Sequence, residues 1–135
     1  MQIEIERKFL VAHDGWKDAV IDRRTFRDGL IAAGDGGKVR VRIAETRSTI
    51  TVKSVRDGIR RTEFEYEIPR ADAEAMFSLC CGSRIIDKTR YYVRHGDTVW
   101  DVDVYGGTLT GIVFAEIELQ DEDQPFERRT GWGTR

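Results

Sequence analysis

Glu4, Glu6 and Lys8 stand two residues apart in Ile3-Glu4-Ile5-Glu6-Arg7-Lys8-Phe9-Leu10, and Glu116 and Glu118 repeat the spacing in Ala115-Glu116-Ile117-Glu118-Leu119. A spacing of two places side chains on one face of a β-strand. Carboxylates paired in this way offer hard oxygen donors of the kind that Mg²⁺ and Mn²⁺ prefer. The opposite charge recurs with the same period in Arg40 and Arg42, in Lys53, and in Lys88 and Arg90. A guanidinium can bridge two oxygens of an anion, while an ammonium supplies a point charge. Glu63, Glu65 and Asp103 are further acids on alternating stretches. Acids and bases are thus sorted by strand, and like charges side by side repel. A cation between the acidic strands and an anion between the basic ones would relieve that repulsion.

The elements that carry these residues alternate apolar and charged positions. Such segments include Val39-Arg-Val-Arg-Ile43, Thr49-Ile-Thr-Val-Lys53, Glu63-Phe-Glu-Tyr-Glu-Ile68, Lys88-Thr-Arg-Tyr-Tyr92 and Trp100-Asp-Val-Asp-Val104. Further strands are expected near residues 24–30 and 85–94. Gly34-Asp-Gly-Gly37, Arg56-Asp-Gly58 and Gly96-Asp97 read as turns, and Gly106, Gly107 and Gly111 bracket a loop. Asp14 is expected to cap a short helix to about Ala19, with Trp16 packed inward. A second helix is expected from Asp72 to Leu79, with Ala73, Met76, Phe77 and Cys80 on one face and Gly82 closing it. The reading is α+β: about eight antiparallel strands and two or more peripheral helices. Two geometries fit. An open sheet can wet its charged face, or eight strands can close into a barrel with the charges inside. The second requires those charges to pair or to bind ions. Trp100, Tyr91, Tyr66 and Phe64 read as core.

The 135 residues suit one domain. With 40% hydrophobic and 34% charged residues the composition is that of a soluble globular chain. A net charge of −2 gives no basic field for nucleic acid, and no apolar run is long enough to span a membrane. The N-terminus lacks a signal-peptide pattern. Cys80 and Cys81 are adjacent, unsuited to an ordinary disulfide and without metal-ligand spacing. A reducing, cytoplasmic location is the expectation.

Taken in order, the opening Glu4-x-Glu6-x-Lys8 motif and the six later charged segments resemble the CYTH family, also called triphosphate tunnel metalloenzymes, over residues 1 to about 126. The resemblance implies an antiparallel β-barrel, a tunnel lined with acids and bases, and so selects the closed geometry. It also implies metal-dependent hydrolysis of a triphosphate, with inorganic tripolyphosphate the expected substrate and Mg²⁺ or Mn²⁺ the cofactor. By resemblance Glu4, Glu6 and Glu118 ligate the metal, supported by Glu116. Lys8, Arg40, Arg42, Lys53, Lys88 and Arg90 hold the phosphates, Lys8 beside the metal. Glu63, Glu65 and Asp103 orient water or hold a second metal. Arg61, Glu67 and Asp101 are read as part of a salt-bridge lattice or the surface. The competing readings are a non-catalytic polyphosphate- or nucleotide-binding module, an adenylate cyclase and a thiamine triphosphatase; no purine pocket is marked.

Two stretches depart from the family pattern. Arg27-Asp-Gly-Leu30 lacks an aromatic residue after the glycine. After Phe126 the chain reads Glu-Arg-Arg-Thr-Gly-Trp-Gly-Thr-Arg135, where the family continues with a covering segment. A single domain over 1–135, shortened or altered after about residue 126, is expected. Apolar barrel surface would then be uncovered, and self-association as a homodimer through it follows as an expectation.

Overall fold

In the computed structural model, which describes residues 1–127 and 132–134, the strands close on themselves. They are β1 (Gln2–Val11), β2 (Val20–Gly34), β3 (Gly37–Ala44), β4 (Ser48–Lys53), β5 (Arg60–Ile68), β6 (Ile85–His95), β7 (Thr98–Tyr105) and β8 (Val113–Glu118). The order is β5-β4-β3-β2-β6-β7-β8-β1, and a β1–β5 pairing completes the ring. All of these pairings are antiparallel, so the result is a closed eight-stranded barrel without a free edge. A short β9 (Trp132–Thr134) pairs with the end of β1. The expected alteration of the chain after about residue 126 falls largely on residues 128–131 and 135, outside the described residues.

The alternation is resolved in an inside-out sense. Most charged positions of the alternating strands face the barrel interior, and most apolar positions face outward, where other segments cover many of them. One apolar cluster joins Ile5, Phe9, Val93, Trp100, Val102, Ala115, Ile117 and Leu119 with Trp16. Trp16 comes from a 3₁₀ turn over Gly15–Ala19, and Phe126 packs on Phe9 and Trp100 with ring centroids 5.9 Å apart in each case. The second cluster joins Val41 and Ile43 to Ala73, Phe77 and Cys81. Gly29 of β2 lies directly under Phe77 and Cys81, where any Cβ would collide.

The helices differ from expectation. Among the described residues one helix reaches seven residues, α1 (Arg70–Met76), against the two or more predicted. Residues 15–19 form only a 3₁₀ turn, and Asp14 makes no side-chain cap. Five residues with no cap cannot offset the cost of nucleating an α-helix. After Met76 the chain widens into a π turn, Phe77–Cys81. The wider turn advances each residue by a smaller angle than an α-helix does. Cys81 therefore stays on the buried face with Ala73 and Phe77, while Cys80, predicted inward, is exposed. Gly82, with φ of +58°, ends the turn as expected. Phe64 and Tyr66 are corrected too: they lie on the outer face of β5, 36% and 59% exposed, instead of in the core. No helix among the described residues is long and apolar enough to cross a membrane.

Candidate active site

A cavity of about 390 Å³ fills the tunnel. Glu4, Glu6 and Lys8 reach it from β1; Arg40 and Arg42 from β3; Lys53 from β4; Glu63 and Glu65 from β5; Lys88 and Arg90 from β6; Glu116 and Glu118 from β8. Asp103 does not line the space. It lies fully buried in the wall, with Lys88 and Arg90 over it. Antiparallel register explains the convergence: Glu6 stands opposite Glu118, Lys8 opposite Glu116, Arg90 opposite Asp103, and Lys53 opposite Glu63.

The basic wall is held by two aspartates. Asp28 accepts from Arg42 Nε and Nη2 at 2.8 and 3.0 Å. Asp103 accepts from Arg90 Nε and Nη2 at the same two distances. Lys88 Nζ donates to Asp103 Oδ2 at 2.8 Å and lies 3.8 Å from Asp28 Oδ2. Both guanidinium groups also pack on the ring of Phe26, Arg42 at 4.0 Å and Arg90 at 5.4 Å from its centroid. Burial works against the charge on Asp28, but Arg42, Arg40 and Lys88 outweigh it and hold the carboxyl below its usual range. Asp103 is depressed in the same way, by Arg90 and Lys88 against burial. Arg90 is raised against its burial by Asp103.

The acidic wall is built differently. Glu6 faces the cavity with Glu116, and accepts a 3.4 Å bond from Arg56 Nη2. Burial, the charge of Glu116 and the charge of Glu4 push Glu6 up to about 8. Burial opposes ionisation of Glu116 too, but Lys8 above all, with Nζ 3.2 Å from Oε1, brings it down to about 2. Glu4 and Glu63 both pair with Lys53, whose Nζ lies 3.2 Å from Glu4 and 3.4 Å from Glu63. Glu118 is exposed at the mouth. Glu65 is exposed and accepts a 3.4 Å bond from Thr51 Oγ1.

Carboxylates converging on one cavity fit a hard divalent cation, which would retain some of its water. Glu6 and Glu116 would hold it, with Glu4 and Glu118 beside them. Among the described residues no three acids already stand in a metal-ligand cluster.

Sequence reasoning missed Asp28 and Lys38, and placed Asp101 and Arg61 in the lattice or surface. All four line the cavity. Asp101 lies 3.4 Å from Arg90 Nη1; burial, opposed by Arg90 but aided by Asp103 and Glu116, pushes it up to about 6. Glu67 is exposed and pairs with Arg47 at 3.5 Å. Alternation gave no signal for Asp28, since its same-face neighbours are the apolar Phe26 and Leu30. Lys38 adjoins a glycine turn and reads as part of it. Asp101 and Arg61 did alternate, and their spacing alone could have found them.

A closed antiparallel tunnel, apolar outside and lined by opposed acidic and basic walls, defines a class of anion- and cation-binding barrel. Residues 2–128 match the CYTH domain, and the chain belongs to that family. A protein of Acetivibrio thermocellus named inorganic triphosphatase is 38% identical over 125 residues, covering 93% of this chain and 80% of that protein. A Nitrosomonas europaea protein of the same name is 35% identical over 123 residues, covering 89% of this chain and 78% of the other. A crystal structure described as that of an inorganic triphosphatase superposes with a TM-score of 0.68 at 31% identity, covering 97% of this chain and 87% of that one.

Proposed function

We propose that this protein is a divalent-metal-dependent triphosphatase, with inorganic tripolyphosphate as its substrate. The observation that carries the reading is the convergence of Glu4, Glu6, Glu116 and Glu118 on one cavity with Arg40, Arg42, Lys88 and Arg90. The carboxylates offer hard oxygen donors to a cation, and the bases suit a polyanion. The relatives named inorganic triphosphatase favour the same substrate class.

In this reading Glu6 and Glu116 hold Mg²⁺ or Mn²⁺, with Glu4 and Glu118 completing the set. The cation, when bound, neutralises phosphate oxygens and polarises the reacting phosphoryl group. Lys8, 3.2 Å from Glu116, contacts phosphate next to that position. Arg40, Arg42, Lys53, Lys88 and Arg90 neutralise the rest of the chain of phosphates. They also stabilise the charge of an in-line displacement, in which water adds to a terminal phosphorus and the anhydride P–O bond breaks. The products are orthophosphate and diphosphate.

Of the three acids that could orient that water, Asp103 has both oxygens committed to Arg90 and Lys88. Glu63 is engaged by Lys53 at 3.4 Å. Glu65 has no ion pair among the described residues and faces the cavity. Glu65 takes the proton of the attacking water.

The test is phosphate release from tripolyphosphate with and without Mg²⁺ or Mn²⁺, with ATP as a parallel substrate assayed for cyclic AMP. Metal-dependent release from tripolyphosphate is expected. Binding without release would mark a non-catalytic polyphosphate module, and cyclic AMP from ATP would mark a cyclase.

A further inference from the structure

The tunnel's bases fall into two groups. Arg42, Lys88 and Arg90 have committed donors: each is bonded to Asp28 or Asp103 within 3.0 Å. Three others are unfinished. The Nε of Arg40 is buried without a hydrogen bond, and the nearest carboxylate oxygen to its guanidinium is Asp28 Oδ2, 4.0 Å from Nη1. The Nε of Arg61 is likewise buried and unbonded, 3.8 Å from Glu4, with Nη2 3.8 Å from Glu6. Lys38 has no ion pair or hydrogen bond among the described residues, yet it lines the cavity.

The local backbone explains Lys38. Gly37, with φ of +117°, lets the β2–β3 hairpin end press against the carbonyl of Lys53, and a Cβ there would meet it. Lys38 then stands opposite Lys53 in the β3–β4 ladder, a like-charge pair on neighbouring strands. Burial, then the charges of Arg61, Lys53, Arg40 and Lys8, push Lys38 down to about 8. Glu4 and Glu63 take up Lys53 but leave Lys38 unmatched. Water could bond to these N–H groups but could not offset their charge. An anion does both.

We infer that Lys38 and Arg61 are phosphate-binding residues, forming with Arg40 the wall that receives a phosphate chain, while Phe26, Asp28 and Asp103 are positioning residues that preset Arg42, Lys88 and Arg90. This deepens the triphosphatase reading and rests on it for the substrate class.

The experiment uses the full chain. Lys38→Ala, Lys38→Arg, Arg61→Ala and Arg61→Lys are compared with the parent and with Arg47→Ala, a surface control. The readouts are kcat and KM for tripolyphosphate with Mg²⁺, calorimetric Kd for tripolyphosphate without metal, and melting temperature. A lost charge-assisted contact corresponds to roughly a tenfold to hundredfold change, so KM and Kd should rise by that factor in Lys38→Ala and Arg61→Ala. For Lys38→Ala, kcat and melting temperature should stay near the parent's, and Lys38→Arg should restore binding. Arg61→Lys should keep part of the affinity, which a purely structural Arg61 would not require. If KM and Kd of Lys38→Ala and of folded Arg61 variants match a parent that hydrolyses tripolyphosphate, the inference is wrong and the triphosphatase reading stands. If the parent binds but does not hydrolyse, the functional reading fails and the calorimetry alone decides on Lys38 and Arg61. A parent that neither binds nor hydrolyses overturns both.

Discussion

Asp28 and Asp103 are each held by two or more bases in the tunnel wall, whereas Glu6 and Glu4 have Arg56 and Lys53 on one side and the charge of another carboxyl group, Glu116 or Glu63, on the other. Both sets of acids are largely buried in one barrel, and the environments push them in different directions. Asp28 and Asp103 stay ionised because guanidinium and ammonium groups surround them. Glu6 is pushed up to about 8 because burial and a second carboxylate surround it. A carboxylate with a full set of basic partners belongs to the framework. A carboxyl group whose charge a neighbouring carboxylate disfavours has a less complete charge balance, and in the proposed reading a cation completes it. The difference sorts the tunnel's acids into two roles, and it can be broken experimentally.

The largest effect should come from Asp103→Ala. Removing one partner of a buried ion pair leaves the other uncompensated, at a cost of about 3–5 kcal/mol. Here two bases, Lys88 and Arg90, lose their shared acceptor. Urea unfolding should show that loss of stability, and a variant as stable as the parent would remove Asp103 from the framework. Glu6→Gln should do the reverse. The amide stands in for a carboxyl whose charge burial and Glu116 already disfavour, so the metal-free protein should melt no lower than the parent. Metal-dependent kcat should fall on the order of 10²–10³-fold, the range for losing one preorganised electrostatic group. Normal kcat at saturating metal would sink the assignment of Glu6 to the cation. Gly29→Ala serves as a probe outside both walls. Its Cβ would stand 2.6 Å from Cys81 Sγ and 2.9 Å from the Phe77 ring. Overpacking of this kind costs about 1–3 kcal/mol. It should lower the melting temperature and leave KM unchanged; a shifted KM would show that the outer helix helps set the tunnel.

The strands and their charged residues were legible because β-alternation is local: β5 is Arg60–Ile68 as read from sequence. Which face turns inward was not legible from alternation, since an open sheet and an inside-out barrel share one pattern; the family resemblance decided it. β2 runs from Val20 to Gly34, well beyond the expected residues 24–30, because its ends pair with β3 and β6 whatever their polarity. Asp28 was invisible between Phe26 and Leu30, although the ring of Phe26 is what two arginines pack on. Lys38 needed the third dimension, since its charge counts only once Lys53 is beside it. The π turn that exchanges Cys80 for Cys81 follows from how the helix packs over Gly29, which no periodicity in the segment itself records.

The smallest predicted effect is the most specific to the framework wall. Asp28→Asn keeps one acceptor oxygen for Arg42 but loses the charge facing Arg40, Arg42 and Lys88. At pH 7 the loss should be about 1.5 kcal/mol, the lower end for a hydrogen bond to a charged group. The sign of its pH dependence follows from linkage. Asp28 is depressed below its usual value of 3.8 in the folded protein. The unfolded chain therefore takes up a proton at a higher pH than the folded one does. The stabilisation is fully present above the unfolded value and drains away as pH falls through the lower folded value. The difference in unfolding free energy between parent and Asp28→Asn should thus be constant from pH 7 down to about pH 5 and shrink below about pH 4, toward zero once Asp28 is protonated in both states. Denaturant melts at half-unit pH steps measure it. A gap that stays the same width through the acid range would mean that Asp28 acts through shape and not charge. The contrast between the two walls would then have to rest on Asp103 alone.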